Sequence, residues 1–477
     1  MTKRLLFLFV PIVLFLVALF VPPETYHMPG LTVMEQRIIA IFILTAGFWI
    51  LEPIPIHAAS VLAITLMLAM TSNKGLFVFR GDEAEVGKAL PFGAILATFA
   101  NPTIMLFTGG FFLAAAATKY RLDLNLARII LKPFGKRPGM IMLGLMCITA
   151  LFSMFMSNTA TCAMMLALLN PVLATLPSED RIRAGLALSV PFAANIGGIG
   201  TPIGTPPNAI GLQFIQQFTD MSFAKWMVFG VPYIAILLLL SWMVLMWLFP
   251  PKTQEVELVI EGQWIRSPKA MVAYAGFAVT VVLWMLGDLH GMNSEVVAML
   301  PIALFAATGV ITIADMKKLS WDVLWLMAGG IAIGYGMDKT GLLQRMVSSI
   351  PFDTFSPYLV IVFAGFLALL LSTFMSNTAA ANLLMPLMAA LAVGIKGLDS
   401  LGGPVGILLA VTFSCSLAMS LPISTPPNAL AMATGTVQTK DMAKAGILVG
   451  IIGFIMIFAM LWLGSLVNMW EVTKSVL

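Results

Sequence analysis

The chain has 477 residues, of which 60% are hydrophobic and only 10% charged, with a mean hydropathy of +0.99. Soluble domains carry about 25% charged residues, so a water-surrounded core is excluded and most of this chain must lie in lipid. A net charge of +4 is too small for a nucleic-acid face and fits basic loops that orient a membrane protein.

Lys3 and Arg4 are followed by about 17 apolar residues, with no small-residue cleavage site before Pro22 and Pro23. Residues 1–22 therefore read as a retained first transmembrane helix. Further segments able to span lie at about 37–51, 55–71, 96–118, 183–218, 226–250, 270–288, 294–315, 320–338, 403–437 and 442–469. Together they predict about 11 transmembrane helices. Two more apolar stretches, 138–176 and 357–395, are each about 38 residues long and are split by Ser-Asn-Thr. Their arms are short for a crossing and predict two re-entrant helical hairpins whose tips stop inside protein at membrane depth. The expected fold class is an all-α integral membrane protein.

The second half of the chain repeats the first. FMSNTA occurs at 155–160 and 374–379, TPPNA at 205–209 and 425–429, and a Gly pair at 109–110 and 329–330, which carries Lys119 onto Lys339. This predicts repeat 1 over 23–250, a cytoplasmic connector over 251–269 whose Glu255, Glu257 and Glu261 face water, and repeat 2 over 270–477. With the N-terminus inside, 17 Lys and Arg fall on the cytoplasmic side and nine outside, as the positive-inside rule requires. The odd number of crossings between matching points makes the repeats inverted. The basic, amphipathic segment 119–137 reads as a helix on the inner surface, matched by 341–350. Such paired collars suit hinges.

The paired polar interruptions inside apolar runs are where a transporter binds its ligand. At an Asn tip between two half-helices, one arm offers unpaired carbonyls and the other unpaired N–H groups, so a cation and an anion can sit side by side. The double prolines of 200–208 and 421–428 cannot sit inside an unbroken helix without freeing carbonyls. The resulting oxygen set has no fixed negative charge and suits Na+ better than Mg2+. No Lys, Arg or His lies in these motifs, so an anionic ligand must be balanced by helix N-termini and co-bound cations. His27, His57 and His290 lie outside them, with His57 read as capping or pairing near Glu52. Glu52, Asp322 and Asp338 read as helix-end groups, and Cys147, Cys162 and Cys415 as packing residues. No acid–base, nucleophile or metal constellation of an enzyme is present.

Taken together, the two Ser-Asn-Thr tips, two Thr-Pro-Pro-Asn breaks and inverted repeat resemble the divalent anion/sodium symporter family over nearly the whole chain. The resemblance implies a homodimer in the bilayer, each protomer with a scaffold domain and a transport domain moving as an elevator. It implies a substrate held by Ser157, Asn158, Thr159, Ser376, Asn377 and Thr378, with Thr205, Pro206, Thr425 and Pro426 opposite. It further implies one Na+ at Ser153, Ser157, Asn158 and Gly204 and another at Ser372, Ser376, Asn377 and Ser424, hence at least two coupling ions. The expected function is Na+-coupled uptake of C4-dicarboxylates (succinate, malate or fumarate) across a bacterial inner membrane, with the N-terminus cytoplasmic. The alternatives are a Na+-independent dicarboxylate or anion exchanger and a citrate or sulfate symporter.

Overall fold

A computed structural model describes residues 2–256, 263–349, 356–394 and 397–473. Glu255 is exposed, as expected, whereas Glu257 and Glu261 lie outside the described residues. Among the described residues the architecture is helical. After α1 (Thr2–Phe20), the first half runs α2 (Val33–Leu51), α3 (Ile56–Thr71), α4 (Pro102–Lys119), α5 (Leu122–Leu131), α6 (Pro138–Ser153), α7 (Asn158–Thr175), α8 (Ile182–Gly198), α9 (Pro206–Ile215) and α10 (Phe223–Leu248). The second half repeats that order of long and short helices. It runs α11 (Pro268–Met285), α12 (Ser294–Ala307), α13 (Trp321–Thr340), α14 (Leu342–Ser349), α15 (Pro357–Phe374), α16 (Asn377–Gly394), α17 (Gly403–Ser416), α18 (Pro426–Ala433) and α19 (Thr439–Leu466).

Among the described residues, nine helical segments of at least 18 residues are apolar enough to cross a membrane. Three of the nine, α7, α15 and α16, are arms of the two stretches read from the sequence as hairpins, so the nine and the eleven expected crossings do not count the same segments. Segments 183–218 and 403–437 are each two short helices joined by an extended break, and α3 and α12 are apolar but only 16 and 14 residues long. Proline sets many of the starts: Pro102, Pro138, Pro206, Pro268, Pro357 and Pro426 each occupy the first turn, where the missing N–H would be unpaired anyway. The double prolines thus begin helices. Glu52 ends α2 in a left-handed conformation, its N–H bonded to Phe48 O at 3.0 Å; among the described residues it makes no hydrogen bond to His57.

The halves interlock. Helix α3 packs on α13 and, reciprocally, α12 packs on α4; α9 packs on α16 and α17, and α18 on α7 and α8. Within each half the first hairpin arm lies on the helix that leads into the break, α6 on α8 and α15 on α17. Helices α10 and α19, the matching elements, pack on each other. Such exchange of like contacts is what an internal two-fold relation between repeats produces.

The ends of the helices are tied by ions. Glu35 is fully buried, where its carboxylate accepts from Thr32 N (2.7 Å) and Thr32 Oγ1 (2.9 Å) in a capping box and from Arg345 Nε on α14 at 3.0 and 3.1 Å. Arg345 Nη1 also donates to Pro29 O. At the end of α4, Lys119 Nζ donates to Asp315 Oδ2 (2.5 Å) and Val310 O (2.8 Å), and this contact holds the Asp315 carboxyl down at about 2. Its repeat mate Lys339 pairs, among the described residues, with the adjacent Asp338, at 2.9 Å and largely in water.

These environments differ in consequence. Removing one partner of a buried, hydrogen-bonded pair strands the other, so Arg345→Ala should destabilise the protein by about 3 kcal/mol. Lys339→Ala should cost under about 1 kcal/mol. Denaturation midpoints in detergent check both, and equal shifts would contradict the assignment.

Candidate functional site

The hairpin tips aim two helix N-termini at one space. Ser157 is the N-cap of α7 and Asn158 its first residue, while Asn377 begins α16 and Ser376 Oγ accepts from Ala379 N at 3.2 Å. Behind the first tip, Ser153 Oγ lies 2.6 Å from Asn158 Oδ1 and 2.7 Å from Ala194 O. Behind the second, Ser372 Oγ lies 2.7 Å from Asn377 Oδ1 and 2.6 Å from Cys415 O. A hydroxyl has one proton to give and here meets two acceptors. As placed, each cluster therefore has surplus lone pairs, the electronic condition for a monovalent cation, and both serines are buried.

The breaks are built around asparagine. Asn208 Nδ2 lies within hydrogen-bond reach of Gly198 O (3.0 Å), Ile199 O (3.2 Å) and Thr201 O (2.8 Å) where α8 ends, with Trp226 Nε1 also donating to Ile199 O and Gly204 N to Thr201 O. Asn428 Nδ2 donates likewise to Leu421 O (2.9 Å). Thr425 Oγ1 accepts from Asn428 N. The repeats differ in how a hydroxyl reaches the hairpin: Thr201 Oγ1 bonds Met154 O, whereas in the second copy Ser424 Oγ bonds Thr373 O at 2.7 Å. Gly204, at the position of Ser424, is pressed against the preceding chain, since a Cβ there would lie 2.4 Å from Gly198 O. A Cβ on Gly198 would in turn meet Asn158 Oδ1 at 2.7 Å and Gly204 O at 3.1 Å. The first oxygen cluster is thus the more tightly enclosed.

Between tips and breaks lies a cavity of ≈ 240 Å³. Ser157, Asn158, Thr159, Ser376, Asn377 and Thr378 line it from the tips, and Thr205, Pro206, Thr425 and Pro426 from the breaks. All ten positions expected around a substrate therefore share one space. Gly204 and Ser424 also reach it, while Ser153 and Ser372 stand behind the tip asparagines. Sequence reasoning missed the opposite wall, where Ile56, Phe107, Phe111, Val323 and Leu326 close the cavity. It also missed Asn195, a lone amide in an apolar run, whose Nδ2 donates to Thr425 Oγ1 (3.1 Å) and Asn428 Oδ1 (3.3 Å) across the two halves. Asp322 does occupy the first turn of α13, as expected of a helix-end group, but it also lines the cavity and is the one ionisable lining residue among the described residues. No group of three or more metal-ligating His, Cys, Asp or Glu occurs among the described residues.

The glycine contacts give a test. Gly204→Ala must move backbone and should cost about 1–3 kcal/mol, whereas Ser424→Ala loses one hydrogen bond worth about 1 kcal/mol. Thermal shift of the two purified variants should rank them in that order.

Two interlocked helical repeats enclosing a cavity at paired helix breaks, polar at the tips and apolar opposite, define a membrane transporter. The family described as the sodium:sulfate symporter transmembrane region matches residues 2–470, and the chain belongs to that family of transporters, which are not enzymes. It is 28% identical over 487 residues to the sodium-dependent dicarboxylate transporter SdcS of Staphylococcus saprophyticus, covering 94% of this chain and 88% of the relative. It is 32% identical over 386 residues to an uncharacterized transporter of Haemophilus influenzae, covering 76% and 81%. Among solved structures, the Alcanivorax borkumensis YdaH transporter matches with a TM-score of 0.57 at 12% identity, over 79% of this chain and 88% of that one. Neisseria gonorrhoeae MtrF matches with a TM-score of 0.52 at 12% identity, over 88% and 96%. These two likenesses concern the fold alone.

Proposed function

We propose that the chain couples inward Na+ movement to uptake of C4-dicarboxylates such as succinate, malate or fumarate. The observation that carries the proposal is one cavity faced by two helix N-termini and two oxygen clusters, with no Lys, Arg or His among the described residues of its wall. A dianion placed there lacks a fixed counter-charge, so the helix ends and co-bound cations must supply it. On this reading Ser153, Ser157, Asn158 and Gly204 hold one Na+ and Ser372, Ser376, Asn377 and Ser424 another. The threonines and tip residues grip the two carboxylates. Relatives named as sodium-dependent dicarboxylate transporters support the substrate class.

Asp322 favours a dianion over citrate. A third negative charge in the cavity would face its carboxylate with no cationic side chain to offset it. A homodimer in a bacterial inner membrane, N-terminus inside, with the hairpins and broken helices moving as an elevator between their collars, completes the proposal. Its membrane orientation rests on the Lys and Arg distribution and makes α6–α7 and α15–α16 re-entrant from opposite sides.

Uptake of labelled succinate into proteoliposomes tests the proposal. Uptake should require an inward Na+ gradient, fail with K+, and be lost in Asn158→Ala and Asn377→Ala, each folded by size-exclusion chromatography. Uptake driven by internal succinate alone would make the protein an exchanger. Asp322→Asn should raise the citrate-to-succinate uptake ratio about fivefold at low ionic strength and saturating Na+; an unchanged ratio would remove Asp322 from specificity.

A further inference from the structure

The two-fold relation also fails at a further buried place. Val190 and Phe192 on α8 match Val411 and Phe413 on α17 in the sequence, and the carbonyls that meet Ser153 and Ser372 are those of Ala194 and Cys415. Both alignments set Asn195 against Ser416. In one half the Asn195 amide bridges to Thr425 Oγ1 and Asn428 Oδ1. In the other, Ser416 reaches one atom less far and its Oγ makes no hydrogen bond among the described residues. Packing of Gly211 of α9 on Thr412 of α17 brings Asn208 and Ser416, one turn away along each helix, to the same level.

The cost of the short side chain is visible in the atoms around it. Ser416 Oγ and Asn208 Oδ1 are both buried without a hydrogen-bond partner, and Thr205 makes no side-chain cap. The residues are 1%, 0% and 3% exposed. The Asn208 amide cannot be turned round, because its Nδ2 already faces three carbonyls. Its Oδ1 is thus a committed acceptor in a place where an unmet acceptor costs about 1–3 kcal/mol. In the other half, the electropositive NH2 of Asn195 occupies this position between a threonine oxygen and an asparagine oxygen.

We propose that a third monovalent cation, Na+, binds between Ser416 Oγ, Asn208 Oδ1 and Thr205 Oγ1, taking the place that the Asn195 amide fills in the other half. The donors are neutral oxygens, the set a monovalent ion accepts without a carboxylate. Thr205 also lines the substrate cavity, so the ion sits where anion binding and cation binding reinforce one another. The site rests on the Na+-coupled reading and adds to it a stoichiometry. With a dianion, two Na+ give neutral transport, whereas a third moves one net positive charge inward per cycle.

Ser416→Asn supplies the missing amide and tests the site; Ser416→Ala, smaller than the native residue, guards against misfolding of the larger variant. The coupling ratio is read from the reversal potential of succinate flux in proteoliposomes holding set Na+ gradients. Wild type should give three Na+ per succinate and Ser416→Asn two, with succinate uptake retained. Ser416→Ala should raise the Na+ concentration for half-maximal uptake about threefold or more. Unchanged Na+ coupling in Ser416→Asn together with unchanged Na+ dependence in Ser416→Ala would overturn the proposal and leave a buried water there. Wild-type flux indifferent to Na+ would instead defeat the coupled reading itself.

Discussion

The constraint on which this structure depends is that a helix interrupted at membrane depth must have every freed backbone group met by protein or ligand. Asn208 helps to meet it with one amide, within hydrogen-bond reach of the Gly198, Ile199 and Thr201 carbonyls. With those carbonyls held, α8 can stop and α9 can start on two prolines, leaving an extended turn wide enough for a cavity. Asn428 has the same duty in the second copy, donating to the Leu421 carbonyl. The tighter glycines of the first break and the bonded Ser424 of the second are different solutions to one problem.

From that constraint follows the interlocking of the halves. A broken helix presents polar atoms sideways as well as along its axis, and here they are met by the other repeat: Asn195 reaches Thr425 and Asn428, and Cys162 Sγ approaches Pro427 O at 3.6 Å. Helices α3 and α12 then reach across to the opposite half as well as packing on their own. The cavity therefore belongs to neither repeat, and its wall alternates between them.

Much of this was legible in the sequence because it rests on exceptions. Prolines and asparagines inside apolar runs cannot be ignored by a backbone in lipid, so the tips and the breaks stood out and recurred, while the ten cavity positions followed from the family resemblance those motifs carry. What was not legible was carried by ordinary residues. Phe107, Phe111 and Val323 look like any lipid-facing side chain until α4 and α13 are placed. Asp322 looked like a helix-start carboxylate, which it is, but only packing turns the first turn of α13 toward the cavity. Arg345 meeting Glu35 across 310 positions of chain has no local signal at all.

The reciprocal packing of α3 on α13 and of α12 on α4 bears on how such a chain arose. A half-length ancestor carrying one copy of these helices would have presented both an unfilled seat and an unseated helix. The economical way to satisfy both is a second identical molecule, so the single-copy protein would already have worked as a pair. Gene fusion then let the partners diverge, and positions such as Asn195 and Ser416, once forced to be the same residue, became free to take separate duties.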